Sequence, residues 1–348
     1  GTGISSENIL QLFRNLDLGL DTNVLPKGVL DYFSFNYQQK KINDIELSYK
    51  SELGTNIIIK GDIENSNLLD NFLSFEINST SSEEILEIID KLFHSNLNSF
   101  QFDKLKLVSN LNRGILNINS LNLSNRNSNT DVSGEIDIRN IENRKLKIST
   151  SNFNNFNLLP SSKFTDYLKI INPESINIDC FLVGSNLDII NLDIFLTQNS
   201  LVKLDGNINL QNLNKTLLNI NFEKINKNIV NNIFNILDLT DYARYIEIIN
   251  FEEIQGSVFF DSSQKLTVIN KLEIIQENNV TGILSGEISN NKFRGLTDIQ
   301  NIDFHNIEEK FFKTDRFKGL INIDLGVPNF TSLDSILGIN GSLEGNIS

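Results

Sequence analysis

The sequence predicts a mainly β fold with short helices, laid out as an elongated, repetitive antiparallel sheet with one apolar face. Three observations predict it. Apolar and polar residues alternate at period two over most of the chain, as in half-buried strands. Turn-like clusters, such as 124–130, 197–200 and 276–279, separate the alternating runs at intervals that suit hairpins and therefore a meander. Five times a glycine takes the apolar phase of a run and is followed two residues on by Ile or Leu: Gly61, Gly134, Gly206, Gly286 and Gly341. Each such strand has an apolar face with one side chain missing, the pattern of a long sheet that curls.

The strands can be read in order. Ile57, Ile59, Gly61 and Ile63 share a phase, as do Val132, Gly134, Ile136 and Ile138. Leu146 and Ile148 follow, then Leu192, Ile194 and Leu196, then Val202, Leu204, Gly206, Ile208 and Leu210. Further on come Leu218, Ile220 and Phe222, then Leu272 and Ile274, then Leu284, Gly286 and Ile288. Two helices interrupt the meander. Over 81–93, Ser81 and Glu84 have the spacing of a capping box, and Ile85, Ile88, Ile89, Leu92 and Phe93 form one stripe. The second, over 226–237, carries Ile229, Ile233, Phe234 and Leu237, and weaker candidates begin near Ser5, Ser161, Asp241 and Asn306. Each helix is expected to lie across the sheet or its edge, hiding one apolar face.

The pattern repeats. Laying 159–210 on 239–290 at an offset of 80 matches Ile178 with Val258, Cys180 with Phe260, Leu192 with Leu272, Ile194 with Ile274, Leu204 with Leu284, Gly206 with Gly286 and Ile208 with Ile288. A turn asparagine, Asn199 with Asn279, coincides as well. A looser copy starts at Leu25 and Pro26 and parallels Leu159 and Pro160. The organisation read from this is a leading helix and linker over 1–24, β-repeat units over 25–94, 95–158, 159–238 and 239–312, and the start of a further unit over 313–348. Units that bury their faces by stacking make a quasi-one-dimensional array.

Composition narrows the function classes. The 54 Asn, the lone Ala243 and the absence of Met and Trp read as an AT-rich coding bias, and a chain without Met is read as a piece of a longer protein. A net charge of −14 with only short basic runs, Lys40 with Lys41 and Arg144 with Lys145 and Lys147, argues against a nucleic-acid partner. Cys180 lies in the phase of Ile176 and Ile178 and reads as a small core residue. No run suggests a membrane-spanning helix or a signal peptide. His94 and His305 are the only histidines, and no P-loop, G-x-S-x-G or paired-cysteine motif occurs, so no catalytic residue, metal site or cofactor is expected. Carboxylate pairs such as Glu83 with Glu84, Glu252 with Glu253 and Glu308 with Glu309 read as helix first turns or loops. Phe33, Phe35, Phe72, Phe75, Phe153, Phe156, Phe195, Phe222, Phe259 and Phe260 could line a lipid path or fill a plain core.

This order of elements, a helix near Leu-Pro, paired strands, a Gly-x-Ile strand, a hairpin and an amphipathic helix, resembles the periplasmic repeat region of the AsmA-like superfamily. The nearest branch is the TamB (translocation and assembly module) type of low-GC Bacteroidota. The segments 132–138, 145–149 and 186–197, with Leu204 to Gly206, carry the resemblance. It implies a U-shaped, β-taco-like sheet with an apolar groove, in the periplasm of a diderm bacterium, conducting phospholipid between inner and outer membrane. Roughly 16 strands of about five to eight residues would form a trough on the order of 75 Å long. An outer-membrane β-barrel partner and an inner-membrane anchor elsewhere in the parent chain are implied too. Groove-lining candidates are Ile57, Ile59, Ile63, Val132, Ile136, Ile138, Leu192, Ile194, Val202, Leu204, Ile208, Leu272, Ile274, Leu284 and Ile288, with the five glycines shaping the groove. Alternatives are a structural or adhesive β-repeat with a packed interior, and a scaffold for outer-membrane protein assembly that uses strand edges.

Overall fold

The computed structural model describes residues 4–5, 27–38, 41–64, 70–93, 102–154, 171–236, 251–289, 292–303 and 313–324. The chain divides into two compact units, one of residues 1–162 with 177–185 and one of residues 163–176 with 186–348. The fold is mainly β and antiparallel, and the sheet does not close on itself.

In the first unit the strands are β1 (Ile4–Ser5), β2 (Gly28–Gln38), β3 (Lys41–Ser51), β4 (Asn56–Ile63), β5 (Phe72–Ser79), β6 (Lys104–Asn112), β7 (Ile115–Asn125), β8 (Ser128–Asp137), β9 (Arg144–Phe153) and β10 (Ser175–Val183). β1 pairs with β2, and from β2 to β9 each strand pairs with the next. At the end of β10 the Gly184 N–H donates to the Arg144 carbonyl at 2.9 Å. The second unit holds β11 (Asn186–Phe195), β12 (Leu201–Asn209), β13 (Leu217–Asn226), β14 (Glu253–Asp261), β15 (Leu266–Gln276), β16 (Asn279–Ser289), β17 (Lys292–Asp303) and β18 (Lys313–Asp324), again paired in sequence order. Helix α1 (Ser82–Phe93) follows β5 and α2 (Lys227–Ile236) follows β13.

The turns are tight. Arg113 and Gly114 (φ 47° and 86°) join β6 to β7, and Glu277 with Asn278 (φ 50° and 62°) joins β15 to β16. Both are two-residue hairpins whose positive φ matches the twist of the flanking strands. Of the weaker helix candidates, those near Ser161, Asp241 and Asn306 lie outside the described residues, as does Leu237, and Ser5 itself is the second residue of β1.

β2 to β18 run 8 to 12 residues, longer than the five to eight expected. Bulges interrupt several of them. In β11 the apolar phase moves from Ile189 to Leu192, three residues, against Gly206 and Leu204 in β12, two residues. The same slip occurs in β15, where Ile269 and Leu272 oppose Gly286 and Leu284, and in β7, where Ile118 and Leu121 oppose Gly134 and Val132. β3 repeats it with Ile42 and Ile45 against Ile63 and Gly61. An extra residue in one strand keeps apolar side chains on one face although their sequence phase has changed.

The glycine opposite each bulge answers a backbone requirement. Gly206 has φ +135°, with Gly134 and Gly61 nearly alike at +132° and +137°. A Cβ on Gly206 would lie 2.1 Å from the Leu217 carbonyl oxygen of β13. The missing side chain thus leaves no opening in the apolar face, since a neighbouring strand's main chain fills that space. Of the two roles a glycine could have, bending the sheet or making room for a guest, only the first fits this geometry. Gly341 lies outside the described residues.

Each helix is tied to its unit by a cap and a buried anchor. The Glu84 N–H of α1 donates to Ser81 Oγ at 3.3 Å, half of the expected capping box. The reciprocal half is absent: Glu84, 4% exposed, turns its carboxylate to the β3–β4 turn and accepts from the hydroxyls of Ser51 (2.6 Å) and Thr55. Ser79 Oγ, 2.7 Å from Thr55 Oγ1, closes this polar cluster and accepts from the Ser81 N–H at 3.0 Å. Two hydroxyl donors on one carboxylate oxygen offset part of the cost of burying this carboxylate. For α2, Asn226 caps the Ile229 N–H at 3.0 Å, and Ile229 is buried with Leu196 and Ile225.

Candidate functional site: the apolar face

Directly opposed residues on antiparallel strands share a face, so the register can be followed from strand to strand. In the second unit one row runs Leu192, Leu204, Ile220, Val258, Ile269, Gly286, Gly295 across β11 to β17. A parallel row runs Ile194, Val202, Phe222, Gly256, Leu272, Leu284, Thr297, and another runs Ile189, Gly206, Leu218, Phe260, Thr267, Ile288, Phe293. Ile208 stands on the same face opposite Leu187, and Ile274 opposite Ile254.

The first unit has the same construction. Tyr49, Ile57, Ile77, Leu107, Leu121, Val132 and Ile148 form one row over β3 to β9, and Leu47, Ile59, Phe75, Ser109, Ile118, Gly134 and Leu146 form the next. Ile136 lies opposite Leu116, and Ile63 opposite Ile42. Ile138, just past β8, packs against the cluster of Ile42, Ile45, Ile63, Leu73 and Leu111.

The apolar face differs in cover along the chain. From β2 to β5 much of it is buried: Leu30, Ile42, Ile45, Leu47, Tyr49 and Ile57 are each 5% exposed or less, while Ile59, Phe75 and Ile77 are half-buried. Phe33 and Phe35 complete that core, their rings 5.1 Å apart and tilted. From β6 to β9 the face is half-buried, and so are Val132, Ile136 and Ile138. In the second unit Ile274 is buried, while Leu192, Ile194, Val202, Leu204, Ile208, Leu272, Leu284 and Ile288 are half-buried. Ile194 and Val202 pack against the cluster of Leu196, Ile225 and Ile229, the last of which comes from α2.

The opposite face is mainly polar, with isolated apolar residues such as Ile58, Val108 and Phe259. Lys203 meets Glu223 across β12 and β13 at 3.1 Å, and Lys41 meets Glu64 at 3.2 Å. Asn219 Nδ2 donates to Asp205 Oδ2 at 2.7 Å. Lys271 and then Gln255, both hydrogen-bonded to Glu273, hold its carboxyl below the usual range. Such exposed pairs contribute at most about 1 kcal/mol each. Their main effect is to keep this face wetted. Phe72, Phe195 and Phe259 lie on it, which removes them from the apolar wall, whereas Phe75, Phe222 and Phe260 are on the wall. Phe72 faces the Arg113 guanidinium at 5.1 Å. Phe156 lies outside the described residues, as do His94 and His305.

Leu218, Ile220, Val258 and Ile269 belong to the rows as fully as the predicted positions do. For Ile269 the signal that could have found it is the three-residue step in apolar phase before the glycine, as from Ile189 to Leu192, whereas Leu218, Ile220 and Val258 are placed by strand pairing alone. Cys180 is 2% exposed, and burial first, then the Asp179 charge, pushes its thiol up. Among the described residues no His, Cys, Asp and Glu cluster could hold a metal ion, and no helix is long and apolar enough to cross a membrane. No family model, curated protein or solved structure matches the chain.

Proposed function

We propose that this chain is a section of an envelope lipid conduit of the AsmA-like, TamB type, carrying phospholipid acyl chains along its apolar face between inner and outer membrane. One observation carries the reading. Rows made mainly of Ile, Leu, Val and Phe, with Gly or Thr at some positions, continue across the bulges over seven consecutive strands of the second unit, and most of those side chains are half-buried. An apolar face of that extent gains about 0.8 kcal/mol for each methylene that shields it from water. Acyl chains supply such methylenes in series, while headgroups remain at the wet margin. A U-shaped cross-section would line the path on three sides.

The mechanism is passive and needs no reacting residue. Partition into the face is set by apolar area, and movement along it by the sameness of successive rows, which gives no deep resting point. In this reading the conduit lies in the periplasm of a diderm bacterium, with an inner-membrane anchor and an outer-membrane β-barrel at its ends. The tightly packed β2 to β5 part of the first unit fits a packed interior better, so the lipid path belongs to β6 to β9 and to the second unit. Solvent extraction of the purified protein followed by mass spectrometry tests the proposal. Co-purified phospholipid is expected, reduced in Leu204→Asp and Ile288→Asp; protein that carries none, from a membrane-containing lysate, would sink it.

A further inference from the structure

On the polar face of the first unit, a cleft of about 570 Å³ opens at the margin where β4 begins, β5 ends, β6 begins, β7 ends and β8 begins. Its floor is a row in register across five strands: Asn56, Asn78, Lys106, Asn122 and Asp131. Lys104 stands beside that row, opposite Ser124.

Among the described residues, some lysines of the polar face are ion-paired and others, among them Lys50, Lys104 and Lys106, are not. Lys41, Lys60, Lys203 and Lys271 each meet a glutamate. Lys104 and Lys106 face only hydroxyl and amide neighbours across the strands and have no ion-pair partner among the described residues. The lone acid in the lining, Asp131, accepts a hydrogen bond from the Asn122 amide. Two acids flank the cleft and are already engaged: Glu76 accepts from the Asn78 amide, and Asp103 accepts from the Arg126 N–H. In a chain of net charge −14, the lining holds two cations, Lys104 and Lys106, against one carboxylate, Asp131.

We infer that this cleft binds a phosphate-bearing small molecule or headgroup. Two ammonium groups supply charge-assisted donors to phosphate oxygens, and the Asn56, Asn78 and Asn129 amides supply neutral donors around them. The volume lies within the range of small-ligand sites. This site stands on the polar face and does not depend on acyl chains occupying the other one.

The test is titration calorimetry of the full chain with sn-glycerol 3-phosphate and with inorganic phosphate, alongside flotation with phosphatidylcholine vesicles that do or do not contain phosphatidylglycerol. The wild type is expected to bind at least one of the phosphate probes, and Lys104→Gln with Lys106→Gln to weaken that binding by about tenfold or more, with an unchanged far-ultraviolet spectrum and melting temperature. Lys203→Gln, which removes a lysine paired elsewhere, is expected to bind as the wild type does. Lysine-dependent flotation with phosphatidylglycerol vesicles identifies a lipid headgroup as the source, and lysine-dependent binding of the soluble probes alone identifies a free phosphate compound. Absence of binding to every probe at millimolar concentration, or binding that the double substitution leaves intact, overturns the inference.

Discussion

Gly206 of β12 stands directly opposite Ile189 of β11 where β11 carries its extra residue, and on its other side the Leu217 carbonyl leaves no room for a Cβ. The same arrangement joins Gly134 to Ile118 and Gly61 to Ile45. Bulge and glycine are one device. The bulge brings two phases of apolar residues onto one face, and the glycine lets the facing strand follow.

Gly206→Ala should therefore cost roughly 1–3 kcal/mol, from a side chain at φ +135° and from contact with the Leu217 carbonyl. Asn207→Ala next to it should change stability by less than about 0.5 kcal/mol. Urea unfolding of the two variants checks the contrast. Equal effects would mean that the glycine is a matter of composition alone.

The polar cluster under α1 predicts an asymmetry between substitutions. Glu84→Ala strands the hydroxyls of Ser51 and Thr55 in a buried site, at about 2 kcal/mol or more. Glu84→Gln keeps one acceptor oxygen and should lose less. Hydrogen exchange of the α1 amides reads this directly, being fastest in the alanine variant and slowest in the wild type.

Ile229 ties α2 to the cluster of Leu196 and Ile225 against which Ile194 and Val202 pack. Truncation to alanine should cost about 2–4 kcal/mol and raise exchange across 194–202 and 225–230. A variant that exchanges like wild type in those segments would mean that Ile229 does not tie the helix to them.

Acid should loosen the β14–β15 turn. Asp261 Oδ1 accepts from the Ser263 hydroxyl at 2.6 Å and from the Ser263 and Gln264 N–H groups. The Ser263 hydroxyl is the main reason that its carboxyl sits below the usual range, the two N–H groups adding to it against burial. A depressed folded-state pKa gives stability that is present above the unfolded carboxylate pKa and lost as pH falls through the folded one. Asp261→Ala should flatten the fall in stability below about pH 4 relative to wild type. A parallel fall in both proteins would contradict the assignment.

The period-two alternation from Val202 to Leu210 and the turn at Glu277 and Asn278 could be read from sequence because strands and hairpins leave local chemical marks. The same bulge lies at Ile189 and at Ile269, 80 residues on. What could not be read was register. Leu218 and Val258 join the rows through pairings between strands, and no local pattern states which strand faces which. Glu84 escaped for a related reason, since Ser81 offered it a local partner and the fold offered Ser51, 33 residues away, and Thr55. Burial was the hardest quantity to foresee: Ile57 and Leu204 have the same chemistry, yet one is core and the other is half-buried.

The most direct measurement places a photoreactive amino acid at Leu204 on the apolar face and, separately, at Asn219 on the polar face, in cells expressing the protein. Crosslinks to lipid acyl chains at Leu204, and none at Asn219, are the predicted result. Crosslinks at Leu204 confined to this protein's own residues would contradict the conduit and leave a packed interior in its place.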